Sequence, residues 1–375
     1  MENSLMLVPF YSFQDAPVDL IQSWRAAIDT VIKKGVFIGG EEVEEFQLEW
    51  SAFLKTANCV GVGNGFDAIF LALKALGIQK GMKVAVPIHT YIATWLAIAH
   101  IGAEPIGIDC GENGLMNLSE LENLNVSIDC VVAVHMHGQM VDMPRLTIWA
   151  KSRGIKVVED CAQAHGAQIN GKFAGTWGDV GAFSFYPNKN LGAIGDAGAI
   201  VTMDQEIAET VRSYGNYGTL FGDKYNFKLL GLNSRMDPLQ AAILRVNLQK
   251  LSEWNENRRS KAISYYTFLN ENGISHLDVD LKKSVHHHCI LFAHDRDNLR
   301  KELQSLGVST EIHYPKTAEE NFYQATSRVF RNESHAKKLS RMTLSLPLSP
   351  WLSDIKVEYV KKCLINPKIL KLITG

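Results

Sequence analysis

The sequence predicts an α/β protein: a large domain built on a mostly parallel, seven-stranded sheet flanked by helices, and a smaller C-terminal α/β domain. Three observations predict it. Seven short apolar runs recur between residues 59 and 203, separated by room for helices. A glycine-containing turn joins the first run to an amphipathic segment. A long helical pattern near residue 250 then leads into a C-terminal third where strand and helix patterns alternate again.

The runs are CVGVG (59–63), KVAVP (83–87), PIGID (105–109), CVVAVH (130–135), IKVVE (155–159), GAFSFY (181–186) and GAIVTM (198–203). Continuous Val/Ile runs are what strands covered on both faces require. After Gly65, the residues Phe66, Ile69, Phe70, Leu73 and Leu76 form an i, i+3, i+4 stripe, which predicts a helix with one buried face. The segment 237–271 shows no obvious break and reads as one amphipathic stretch leaving the large domain. Beyond it, VHHHCILF (285–292) reads as a strand, 295–307 as a helix, and VSTEIHYP (308–315) as a strand and turn. The domains are expected at 1–250, including an N-terminal segment, and 251–375.

Composition narrows the function. The 375 residues carry 38 basic and 40 acidic side chains, a formal charge of −2, which lacks the basic footprint of a nucleic-acid binder. An anionic substrate then requires a local cationic pocket. The start, MENSLMLVPF, has no signal-peptide pattern, and TYIATWLAIAHIGA is too short to span a bilayer. Six scattered cysteines without a CxxC pair argue against disulfides and structural zinc. A cytoplasmic protein without membrane contact is expected.

In open sheets, ligands sit beyond the carboxyl ends of the strands. Three segments put chemistry there. In IKVVEDCAQAHGA (155–167) a strand ends in Glu159-Asp160. A carboxylate at that edge is either solvated or paired, and a pyridinium nitrogen is one partner that it would keep protonated. In GAFSFYPNKNLGAIGDAGAI (181–200), Lys189 follows an aromatic cluster and Pro187. It reads either as a solvated loop charge or as a desolvated amine with a lowered pKa, fit for Schiff-base chemistry. Ser184 is a turn serine or a phosphate donor. In CVGVGNGFDAIFLALKAL (59–76) a glycine turn opens a helix, as a phosphate site requires. Phe66 stands where a dinucleotide fingerprint needs its third glycine, so the turn suits one phosphate and an NAD-dependent dehydrogenase is disfavoured. Together the segments offer a phosphate turn, an acid for a ring nitrogen and a lysine for an aldehyde.

Other side chains have plainer readings. His286, His287 and His288 look like a metal cluster, but neighbours on a strand point to opposite faces, so a partly exposed strand is expected and no metal site. His135 and His137 lack a third ligand nearby. His165 stands near the cofactor or makes a structural hydrogen bond. Trp95 and Trp351 read as packing residues.

Across nearly its whole length the chain resembles the DegT/StrS family of PLP-dependent sugar aminotransferases, of the aspartate-aminotransferase fold (PLP fold type I). The resemblance rests on GVFIGGEEVEEFQ, GNGFDAI, VPIHTYIATWLAI, VHMHGQMVDM, VVEDCAQAHGA, FSFYPNKNLGAIGDAGAIV, NYGT, GLNSRMDPLQAAIL, IHYP and SLPLSP. It implies pyridoxal 5′-phosphate as cofactor, with pyridoxamine 5′-phosphate as its intermediate form. Lys189 would form the internal aldimine, Asp160 would hold the ring nitrogen and Gln163 would lie by the ring hydroxyl. Ser184 and the Gly65-Phe66 backbone would bind the phosphate, and Tyr91 would stack on the ring. It further implies a homodimer with shared active sites, in which Asn233 reaches the partner's phosphate and Lys224 the sugar nucleotide. Tyr186, His313 and Tyr314 match positions lining the hexose.

Sugar dehydratases of the family carry histidine at the Lys189 position, so an aminotransferase is expected. NGFDAI with HTYIATWLAI resembles the 3-aminotransferases that act on dTDP-linked 3-keto-6-deoxyhexoses, with glutamate as donor. Amination at C4 of a 4-keto sugar and a non-catalytic PLP-binding protein remain the alternatives. Departures from the family pattern are Phe66 for a frequent threonine, His137 for a frequent tyrosine, and KTAEENFY after IHYP without the usual histidine.

Overall fold

The computed structural model describes residues 6–220, 223–326 and 334–375, with no side chain described for Leu220, Asp223, Lys224 or 323–326. All seven apolar runs are strands of one sheet: β1 (Asn58–Val62), β2 (Lys83–Pro87), β3 (Glu104–Ile108), β4 (Cys130–Val134), β5 (Lys156–Asp160), β6 (Val180–Ser184) and β7 (Gly198–Thr202). Their order is β1-β7-β6-β5-β4-β2-β3. β7 runs antiparallel to both of its neighbours, and every other pairing is parallel. The carboxyl ends of six strands therefore meet at one edge.

Apolar cores cover both faces of the sheet. On one side Ala68, Leu71, Trp95 and Ile98 of the helices Gly65–Ala75 and Ile92–Ile101 pack with Val84, Val131 and Val158. On the other, Phe46, Trp50 and Leu54 of the helix Glu41–Leu54 pack with Phe183, Phe185 and Leu244. This double cover explains why the strands are continuously apolar. A separate core gathers Tyr265, Leu291, Leu299, Leu344 and Val357 from the C-terminal third. Val8 is buried in it too, bridged to Val308 through the amide of Ser309 and the carbonyl of Gly307.

Three sequence expectations need correction. The segment 237–271 forms two helices, Pro238–Leu248 and Leu251–Glu271. No glycine or proline marks the break. It falls where buried Asn247 bonds the Gly192 carbonyl and the Trp24 indole. In VHHHCILF only Cys289–Phe292 is a strand, and the three histidines are buried, not partly exposed. The Val285 amide bonds the Gly138 carbonyl, and a Cβ on Gly138 would lie 2.6 Å from the His286 nitrogen. That close approach pulls residues 285–288 out of the extended path, and His286 adopts φ 46°. VSTEIHYP makes single bridges at Val308 and Glu311 and no strand.

Candidate active site

Neighbouring residues on a strand face opposite ways, and the end of β5 uses this to separate two carboxylates. Glu159 is fully buried and accepts hydrogen bonds from the amides of Gly175 (2.9 Å), Trp177 (2.6 Å) and Gly178 (2.7 Å). His135 Nδ1 accepts from the Val141 amide, so in its neutral form Nε2–H donates to Glu159 at 2.9 Å. These two residues and Cys161 bring three metal-ligating atoms together. The carboxylate and the imidazole are already taken by hydrogen bonds.

Asp160 is also buried but, among the described residues, accepts from only two donors, the Ala162 amide at 3.1 Å and Thr94 Oγ1 at 3.0 Å. Thr94 spends its only hydroxyl proton on Asp160, so Thr90 must donate to Thr94 across 3.0 Å. Burial raises the Asp160 pKa above the usual carboxylate range, against the opposing pull of the Ala162 amide, Thr94 and the charge of Lys189. Among the described residues Asp160 makes no ion pair, although it lies within the field of Lys189. A pyridinium N–H is a cation that also donates a hydrogen bond.

Lys189 lies on the loop between β6 and β7. Its amide bonds the Tyr186 carbonyl, and a side chain on Gly192 would collide with the Pro187 carbonyl, so the loop closes tightly. The lysine is half-buried and has no ion-pair partner among the described residues. Burial pushes its pKa down to about 8, and only the field of Asp160 opposes the shift. Its neighbour Asn190 is buried and ties the loop to Asn255 (2.8 Å), the Val285 carbonyl (2.8 Å) and His287 (2.9 Å).

The β1 turn delivers a helix N-terminus to the same edge. Asn64 caps the helix Gly65–Ala75 by accepting from the Asp67 amide, and its carbonyl takes the Ala68 amide. The Gly63 amide is used by Ser234 Oγ at 2.9 Å. The amides of Gly65 and Phe66 find no acceptor among the described residues. A Cβ at Gly65 would lie 2.5 Å from Ser184 Cβ, so glycine is what lets the helix start pack this close to Ser184. Ser184 accepts from the Tyr186 amide at 3.3 Å, leaving its proton to donate. Two helix amides without acceptors among the described residues, a hydroxyl, a buried acid without an ion pair and a lysine with a lowered pKa fit a phosphorylated pyridinium aldehyde.

Gln163 is buried, accepts from the His137 amide at 2.6 Å and donates to Tyr314 at 3.1 Å. Tyr91 is 58 % exposed, with its ring 5.5 Å from that of Tyr314. His313 bonds Ser345 at 2.9 Å. The structure thus gathers Lys189, Asp160, Gln163, Ser184, Gly65, Phe66, Tyr91, His313 and Tyr314 around one edge. Tyr186 is exposed just before the lysine loop. Asn233 is exposed and bridged to Asn216. The side chain of Lys224 lies outside the described residues. His165 is enclosed by Trp50, Phe183 and Phe185, and burial pushes its pKa down to about 3 against the opposing influence of the Ser184 backbone.

Sequence reading missed Thr94, Asn190 and Ser234. Thr90, just before the helix Ile92–Ile101, and Thr94, in its first turn, are four residues apart, which is the only trace of the relay to Asp160; no comparable pattern announces the other two.

The sequence profile of the DegT/DnrJ/EryC1/StrS aminotransferase family matches residues 19–365. The chain is 38% identical over 360 residues to a protein of Saccharopolyspora erythraea called erythromycin biosynthesis sensory transduction protein EryC1, spanning 95% of this chain and 98% of that one. It is 38% identical over 352 residues to the dTDP-3-amino-3,4,6-trideoxy-α-D-glucose transaminase of Streptomyces venezuelae, covering 92% of each chain. The crystal structure of S. venezuelae DesV in complex with a ketimine intermediate superposes with a TM-score of 0.90 at 37% identity, over 96% of this chain and 97% of that one.

Proposed function

The chain belongs to the DegT/DnrJ/EryC1/StrS aminotransferase family, and from that premise we propose that it transfers an amino group from L-glutamate to C3 of a dTDP-linked 3-keto-6-deoxyhexose. The observation that carries the reading is a half-buried lysine, Lys189, within the field of the buried Asp160 carboxylate, at the same edge as two helix amides, of Gly65 and Phe66, that have no acceptor among the described residues. The similarity to a dTDP-3-amino-sugar transaminase supports C3 as the acceptor carbon.

When bound, pyridoxal phosphate supplies an aldehyde that captures amines and a ring that accepts an electron pair. Lys189 acts as the capturing amine and then as the base that moves a proton from the donor α-carbon. A pKa near 8 leaves a usable neutral fraction of that amine at ordinary pH. Asp160 holds the ring nitrogen protonated, and Thr94 orients the Asp160 carboxylate. Gly65, Phe66 and Ser184 would hold the phosphate, Gln163 would serve the ring hydroxyl, and Tyr91 would cover the ring. Tyr186, His313 and Tyr314 line the hexose.

The protein works as a homodimer in this reading, with Asn233 and Lys224 serving the partner's site. Exposed Phe37, Ile38, Tyr225, Phe227 and Leu230 support a large apolar contact surface. The large domain spans 1–250 and the small domain 251–375. Six free, buried cysteines support a reducing, cytoplasmic setting. No helix among the described residues is long and apolar enough to cross a membrane.

The test is incubation of the purified protein with glutamate and, separately, 3-keto and 4-keto dTDP-6-deoxyhexoses, with the products read by mass and NMR. A 3-amino product is expected. A 4-amino product moves the reaction to C4, and no amine from either sugar, with no donor-driven change in cofactor absorbance, removes the enzymatic reading.

A further inference from the structure

Four imidazoles, three of them buried and the last, His313, half-buried, run in a line from the sheet edge into the C-terminal part of the chain. His89 follows β2, and its Nε2 lies 3.3 Å from Nε2 of His137, which follows β4. His137 turns its other nitrogen, Nδ1, to Nδ1 of His288 at 3.1 Å. His288 then stacks on His313, with ring centroids 3.8 Å apart and planes 20° from parallel. Ser345 Oγ, 2.9 Å from His313 Nδ1, holds that last ring from its edge.

This is not a metal site. A bound ion needs lone pairs converging on one point, whereas His137 presents a different nitrogen to each neighbour. A neutral imidazole has one N–H and one lone pair. His137 must therefore donate to one neighbour and accept from the other, so the two N···N bonds run in a single direction along the file. A lone tautomer change at the middle ring breaks both bonds.

The surroundings keep the rings uncharged. The charged groups facing the file are Asp109, beside His89, and Lys189, beside His288 and His313; His287 adjoins His288 and feels Lys189 and Arg258. Burial holds His89 at about 4 and His313 at about 3, and pushes His137 and His288 well below the usual value. The backbone around the file is clamped as well. Residues 285–286 pack onto Gly138, and Asp109 accepts the first two amides of the helix His335–Met342 at 2.7 and 2.9 Å.

We propose that His89, His137 and His288 are positioning residues: a directionally hydrogen-bonded file of imidazoles that fixes the ring of His313 beside Lys189. The inference rests on the reading of His313 as a hexose-lining residue, and it assigns the keto-sugar half-reaction, not the donor half-reaction, as the step that depends on the file.

The test uses the holoenzyme labelled with 15N-histidine, read by long-range 1H–15N spectra between pH 5.5 and 8, alongside half-reaction kinetics. In the wild type, His89, His137 and His288 should each show one neutral tautomer throughout. H288F keeps a ring to stack on His313 but has no nitrogen for His137. It should leave His137 and His89 averaging between tautomers and raise KM for the keto-sugar about tenfold, the scale of one buried hydrogen bond. The donor half-reaction should stay within about twofold of wild type on that same scale. H288Q, which offers both a donor and an acceptor, should recover part of the loss. Independent titration of the wild-type rings near their ordinary value, an unchanged His137 tautomer in H288F, or an equal fall of both half-reactions would each overturn the proposal. A wild-type protein that aminates no keto-sugar overturns the functional reading instead, while the spectra still decide the file.

Discussion

Glu159 and Asp160 are consecutive, buried and acidic, yet they sit in opposite situations. On one face of β5, Glu159 meets three backbone amides and His135, and its hydrogen-bonding capacity is filled within the chain. On the other face, Asp160 meets one amide and one hydroxyl, with a half-buried lysine nearby that is held to about 8. The first region is electrostatically complete. Among the described residues the second leaves a buried carboxylate and a nearby lysine without an ion pair, and two helix amides without acceptors. A protein stabilises unfinished groups poorly on its own, because an unpartnered buried polar group is costly. A ligand that finishes all of them at once gains what the fold left unmade. Burial alone therefore does not separate structural from functional acids; the count of donors does.

The comparison breaks most sharply at Lys189. K189A should lower turnover by roughly 10⁴-fold or more and abolish covalent capture of the cofactor by borohydride, while thermal stability holds. Turnover near wild type would place the chemistry elsewhere. The same lysine has a pH signature. Its folded pKa lies below its unfolded value, so between about pH 8 and the ordinary lysine range the unfolded chain carries a proton that the folded chain lacks. Its contribution to stability should thus rise with pH across that window, and the rise should be missing from denaturation midpoints of K189M.

On the completed side the effect should appear as stability. E159A strands three amides and His135, and should destabilise the fold by about 3–5 kcal/mol in urea titrations. A stable E159A that fails only in catalysis would erase the contrast. D160N should do the reverse: turnover falls roughly 10²–10⁴-fold, with a shifted cofactor absorbance and little change in the unfolding midpoint. The smallest effect belongs to T94V, which keeps shape and removes one donor from Asp160. It should cost about five- to tenfold in turnover, the scale of a single hydrogen bond to a charged group. An unchanged T94V would mean that Asp160 needs no orientation.

Legibility followed the range of the interaction. The seven strands were readable because continuous Val/Ile runs have no other good use than a sheet covered on both faces. Lys189, Asp160 and the Gly65-Phe66 turn could be singled out because each stands at or just beyond a strand end in its own local segment, while the roles proposed for them rest on the family resemblance. Thr94 was not, since its role depends on Asp160, 66 positions away. The break at 249–250 and the loop at 285–288 were misread because periodicity reports which residues are apolar, not that Asn247 bonds Gly192 and Trp24 or that the backbone at 285–287 must come close to Gly138.

By itself the sequence determined the sheet, the order of the chemical segments along it and the residue types they carry, because these follow from hydrophobic period and local turn chemistry. Only the tertiary structure decided which buried acid is satisfied, which helix amides stay free and how four distant histidines line up. Those outcomes depend on partners brought from far along the chain, and a donor or acceptor is filled or left empty only when the whole fold has closed around it.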